Sequence, residues 1–243
     1  MVRVAPLRNR LPAALADRRR PALPLLALAL GLALAALAFP RLMAALHAVP
    51  AGPVLQNLDR PDARPSAGEL LAAREALRLA QVWESDGARS VQRARLALTL
   101  AAREYQAGGN PSRLVEETIA AARAGLQRAP AQARGWLLLS EATLAASGDP
   151  GAAAAYLVES LRASRHDVWL APNRAELGVR AWPWLDAEER AMVGAQIAIV
   201  GARSVERLVA MARRAGDPTP VRAALAGDPD RLRHFDVLYL RGR

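Results

Sequence analysis

Cysteine is absent from the 243 residues, which excludes disulfides, thiolate nucleophiles, Cys-ligated metals and thioether-linked haem. Lysine is absent as well: all 33 basic residues are arginine, in a chain dominated by Ala, Leu, Arg, Gly and Pro, as a GC-rich coding bias would produce. Aromatic residues make up only 4% of the chain, and no segment sustains period-2 alternation of β-branched residues. The strand signal is therefore missing, and what remains is Ala/Leu-rich helix packed through small residues. The predicted fold class is all-α.

Recognisable chemistry is equally scarce. His47, His166 and His234 lie far apart, none with an i, i+4 partner or a Glu-x-x-His pattern. Glu116 with Glu117, and Glu188 with Glu189, project about 100° apart on a helix, so neither pair faces itself as acid and base; charge at a helix start accounts for them. Gly108-Gly109 is not followed by Lys and Ser or Thr, and no G-x-S-x-G occurs, so neither a phosphate loop nor a nucleophile elbow is present. The expectation is no catalytic residue, no cofactor, no metal, and a protein that is not an enzyme. The rival class, an envelope enzyme such as a cell-wall hydrolase, would need carboxylates or a histidine converging from distant helices.

What the chain does have is one long apolar run. Residues 22–39 carry no charge, and at about 1.5 Å per residue they cover ~27 Å, close to the hydrocarbon thickness of a bilayer. Arg41 would snorkel to the far interface, with residues 42–46 continuing the helix there. On the near side stand Arg3, Arg8, Arg10, Arg18, Arg19 and Arg20 against Asp17 alone, a positive-inside signal. Of the formal charge of +10, residues 1–48 hold +6, leaving a mildly basic remainder of +4 whose arginines alternate with acids along helices. That pattern argues against nucleic acid as a partner. The sequence thus predicts a cytoplasmic basic tail (1–20), a transmembrane helix (21–46), a proline-rich linker (47–67) and a helical domain (68–243). The domain is placed outside the bacterial inner membrane, in the periplasm. Ala36, Leu37 and Ala38 also form an A-x-A site, so the run reads either as a retained anchor or as a signal clipped after Ala38; both export the domain.

Within that domain the punctuation is regular. Ser66 followed by Glu69 predicts a capping box opening a helix that ends near Glu84, and a second helix follows over about 88–107. Asn110-Pro111, Asp149-Pro150, Asp217-Pro218 and Asp228-Pro229 each set a capping side chain before a proline, and so mark helix starts. Glycines just past helical runs mark the stops. Asp186 with Glu189 gives another cap, opening helices over about 187–202 and 204–215, with two short ones closing the chain.

Trp136, Leu139 and Ser140 begin one helix, and Ala153, Leu157, Ser160 and Leu161 lie on the next. Pro130 precedes Trp136 by six residues, and Trp169 follows it by 33, leading into Arg174, Ala175, Glu176, Leu177 and Gly178. This pattern resembles a tetratricopeptide repeat, most clearly over 111–180. The slot where that family sets a proline after Leu161 holds Arg165, and the turn at 108–111 comes too early. The resemblance implies first helices lining a concave surface that binds protein segments. It places Arg134, Glu141 and Arg174 on that surface as partner-binding residues; Trp182 and Trp184, flanking Pro183, are core plugs or further partner contacts. The implied role is a membrane-held scaffold for a protein partner in the cell envelope, in complex assembly, cytochrome maturation or polysaccharide export.

Overall fold

The computed structural model describes residues 22–60 and 63–241; the arginine-rich flank over 1–20 lies outside the described residues. Twelve α-helices and one 3-10 turn account for most of the described chain, and no strand occurs among the described residues. The first helix, α1 (Ala22–Ala48), is the only one among them long and apolar enough to cross a membrane. Every side chain from Pro24 to Phe39 is exposed. Beyond that point the helix becomes one-sided: Pro40, Met43, Ala44, His47 and Ala48 turn inward at helical spacing. α1 is therefore an apolar rod whose last two turns are docked on the rest of the protein.

The stretch expected to be a linker contains a second helix, α2 (Ala51–Asn57). Its signal is masked by Pro50, Gly52 and Pro53. These occupy the N-cap and first turn, where a missing amide has no intrahelical partner to lose. Burial of Ala51 and Val54 against Leu70, Ala73 and Leu77 supplies the stability that local propensity does not.

The array follows as α3 (Ala67–Trp83), α4 (Gly87–Gln106), α5 (Ser112–Arg128), α6 (Ala133–Ser147), α7 (Pro150–Ala163), α8 (Ala171–Ala181), α9 (Ala187–Gly201), α10 (Val205–Ala215), α11 (Thr219–Leu225) and α12 (Pro229–Leu240). Its ends are fixed by the local chemistry the sequence carries. The Ser66 hydroxyl accepts from the Glu69 amide at 3.2 Å while the Glu69 carboxylate accepts from the Ser66 amide at 2.6 Å. Asp186 and Glu189 repeat this reciprocal box at 2.8 and 3.0 Å. Asn110, Asp149 and Asp217 each accept from the amide two residues on, and Asp228 from the amide three on. Two of the four prolines, Pro111 and Pro218, occupy the cap itself, so those helices begin one residue later than the sequence suggests. Gly148 and Gly216 close α6 and α10 with φ of +68° and +73°, a left-handed conformation that Gly adopts without a Cβ penalty.

Packing follows a fixed order. From α3 to α9 each helix packs on its successor, and α4 also touches α6, α6 touches α8, and α8 touches α10. The even-numbered helices thus form one continuous layer, with α5, α7 and α9 behind it. Close approach is set by small residues. Gly87 on α4 and Gly125 on α5 face one another so tightly that a Cβ on either would stand 2.9 Å from the other's carbonyl oxygen. The largest core spans α6 to α12 and closes on Phe235 and Tyr239 of the last helix, so the C-terminal helices cover the end of the stack.

Candidate functional site

The even-numbered layer is hollowed. Two adjoining depressions of about 680 and 590 Å³ share Leu98 and Ala102 of α4, Glu141 of α6, Pro172 and Asn173 of α8, and Arg207 of α10. They form one groove with two unlike halves. The first is mainly apolar, walled by Ala101, Tyr105, Leu144 and Ala145. The second is mixed and basic: Arg95, Arg134, Arg203 and Arg207 meet Asp59 and Glu141 there among apolar side chains, with Trp169 on its wall, 69% exposed.

Asp59, Arg95, Arg134 and Glu141 are held by neighbours that the fold brings in from a distance. Asp59, just past α2, accepts from Arg95 at 2.7 Å and stands 3.6 Å from Arg134, so two guanidinium groups share one carboxylate. Burial, with the neighbouring Arg95 charge, weakens the hold of Arg134 on its proton. Glu141, half-buried in the groove between Arg134 and Asn173, accepts from the Asn173 amide at 2.6 Å. Burial pushes the Glu141 carboxyl above its ordinary range, opposed by that hydrogen bond and by the positive charge of Arg134 and Arg95.

The sign of this shift makes a prediction. A carboxyl whose pKa is higher in the folded protein binds protons more tightly there. It therefore supports folding fully below the unfolded value of about 4.3, and that support is lost as pH rises through the folded value. Glu141→Gln keeps an amide oxygen for Asn173 and removes the partly desolvated charge. Thermal melts should give the variant a higher midpoint than the parent at about pH 7.5, with the gap narrowing by about pH 5; a gap that widens on acidification contradicts the shift.

The residues singled out in the sequence fall in three places. Arg134 and Glu141 do line the groove together. Arg174 does not. It is fully buried between α7 and α8, where its Nε donates to the Ser160 hydroxyl at 3.1 Å, and its two terminal nitrogens donate to the Ser164 and Ser160 carbonyls at 2.7 and 2.5 Å. Ser160 in turn donates to the Ala133 carbonyl at 2.8 Å, so one network ties α6, α7 and α8. Arg174 thus serves as the C-terminal cap of α7, a helix with no left-handed glycine to close it. The repeat resemblance places Arg174 on the concave surface, but the groove residue is its neighbour Asn173; a slip of one residue turns a helical side chain by about 100°.

Trp182 and Trp184 lie away from this groove, in the 3-10 turn Trp182–Trp184 after α8. Trp182 is half-buried on the main core with the Arg190 guanidinium 5.8 Å above its ring. Trp184 is 54% exposed and its indole covers Gly151, leaving no room for a Cβ there. Trp169, expected to begin the third helix of the repeat pattern, sits in the turn before α8 and reaches the groove. Sequence reasoning missed Asp59, Arg95, Asn173 and Arg207, because each joins the groove through a partner more than thirty residues away or through the stacking of the array.

No group of three or more His, Asp or Glu side chains spaced to hold a metal ion occurs among the described residues. Comparison with family models, with curated proteins and with solved structures finds no match to this chain.

Proposed function

We propose that this chain is a single-pass membrane scaffold. In this reading α1 stays in the inner membrane of a bacterium, residues 1–20 remain in the cytoplasm, and the array stands in the periplasm as a set of tetratricopeptide-like hairpins. Its groove holds a segment of another envelope protein during complex assembly or polysaccharide export, and it performs no chemistry of its own. The observation that carries the reading is the groove itself: alternate helices α4, α6, α8 and α10 all contribute to one channel. An apolar half beside a half with an excess of guanidinium groups suits an extended segment that combines apolar and acidic residues. Anchoring by α1 would confine that partner to the membrane plane and raise its effective concentration.

The test is photo-crosslinking in intact cells. A crosslinking amino acid at Ala102, which is exposed and belongs to both halves of the groove, should yield a discrete protein adduct. The same group at Val237, exposed on α12, should not yield it, and Arg207→Glu should weaken the adduct from position 102. Indistinguishable patterns from 102 and 237 would overturn the scaffold reading.

A further inference from the structure

The exposed apolar surface of α1 does not end with α1. At its upper end Phe39 meets Trp83, the last residue of α3, edge to face at 5.7 Å between ring centroids. Two residues further, the Arg41 guanidinium lies 3.3 Å from Glu84, just past α3. Farther along, Ala51 and Val54 of α2 share a core with Leu70 and Ala73 from the first half of α3. α3 therefore runs antiparallel to α1, and its C-terminal turn points back at the apolar half of the anchor. That turn is unusually apolar for solvent: Val82 is 72% exposed, Trp83 40% and Leu79 37%. On α1 beside it, Leu42 and Leu46 are 56% and 55% exposed.

We propose that the C-terminal turn of α3 lies in the headgroup layer of the bilayer that α1 crosses, so that the array is seated on the lipid surface by a second contact. The inference rests on the reading of α1 as a membrane span. Three observations select lipid as the occupant. First, the patch is continuous through Phe39 with a helix exposed on every side chain from Pro24 to Phe39, and a bilayer around that stretch reaches the level of Trp83. Second, the stretch exposed on every side, Pro24 to Phe39, is ~24 Å long, less than a ~30 Å hydrocarbon core, so the boundary of the bilayer lies past Phe39. A boundary there falls at the level of the exposed Leu42 on α1 and of Trp83 with Val82 at the end of α3. Third, the composition matches the boundary: a tryptophan at the margin, aliphatic side chains below it, and at the same level an ion pair whose arginine is 79% exposed and free to reach phosphates. One turn higher, the exposed Glu75–Arg78 ion pair marks where α3 returns to water.

The absence of cysteine makes the test direct. Single cysteines replacing Leu28, Val82 and Tyr105 in the full chain are spin-labelled in vesicles of phosphatidylcholine with a minority of phosphatidylglycerol. Accessibility to oxygen and to a water-soluble nickel chelate then gives each depth. All three side chains are exposed, so folding is not at stake. The expected result is Leu28→Cys deep in the hydrocarbon, Tyr105→Cys in water, and Val82→Cys at a depth of roughly 5–10 Å within the boundary layer. Val82→Cys in water with Leu28→Cys still deep overturns the seating and leaves the anchor intact. Val82→Cys shielded from both reagents means that protein covers the patch, and also overturns it. Leu28→Cys in water overturns the anchor reading and the seating together.

Discussion

Arg174→Ala is expected to lower the thermal midpoint of the detergent-solubilised protein by ~6–12 °C, corresponding to a loss of ~3 kcal/mol in a chain of this size. The reason is that Arg174 is not a groove residue but an internal fastener. Its guanidinium is buried without a bonded carboxylate, and burial lowers its pKa, offset in part by the Asp167 charge. The counter-charge is instead the partial negative end of α7, presented by the Ser160 and Ser164 carbonyls. Truncation leaves these acceptors without a donor and opens a cavity among α6, α7 and α8. Two further variants separate shape from hydrogen bonding. Arg174→Met fills much of the space but donates nothing, and should recover only part of the loss. Arg174→Lys keeps the charge yet cannot span three acceptors in a planar fork, and should also fall short. An Arg174→Met protein as stable as the parent would show that the network contributes nothing beyond volume.

Gly178→Leu should cost about as much, ~3 kcal/mol, at a different joint. Gly178 lies on the buried face of α8 where Val193 of α9 presses on it: a Cβ built there falls inside van der Waals contact with Val193 Cγ1 and only 2.9 Å from Cγ2. A leucine would force α8 and α9 apart and strip the core around Ile197 and Leu208. Gly178→Ala is milder, since better helix propensity offsets part of the clash by up to about 1 kcal/mol. The sharper test is a cycle. Val193→Ala removes the colliding methyls, so the double variant Gly178→Ala with Val193→Ala should be more stable than the sum of the singles by about 1 kcal/mol in chemical unfolding. Additive costs would mean that α8 and α9 have slack at this point.

What the sequence made legible and what it hid divide along a physical line. Helix ends were readable because capping is local chemistry: Ser66, Asp149, Asp186 and Asp228 bond amides two or three residues away, and no tertiary information enters. The apolar run was readable because its length and lack of charge are themselves the signal. α2 was not readable, because its stability comes from burial of Ala51 and Val54 against α3 while its prolines and glycine argue locally for a linker. The groove was half readable. Arg134 and Glu141 fall on α6, the helix with the clearest repeat pattern, whereas on α8 the same resemblance placed a buried arginine on the surface. The 33-residue step from Trp136 to Trp169 suggested two equivalent aromatics. In the structure Trp136 stacks on Tyr156 at 6.3 Å, while Trp169 stands exposed and Arg174 fills the interior.

The seating and the groove both depend on where the array stands relative to the membrane. The most direct measurement is therefore a pair of fusions placed after Arg243: an alkaline phosphatase, which acquires activity only in an oxidising compartment, and a fluorescent protein that matures only in the cytoplasm. With α1 crossing once and the arginine-rich flank held inside, the phosphatase fusion is active and membrane-bound while the fluorescent fusion is dark. A bright fluorescent fusion with an inactive phosphatase would place the array in the cytoplasm and contradict the account.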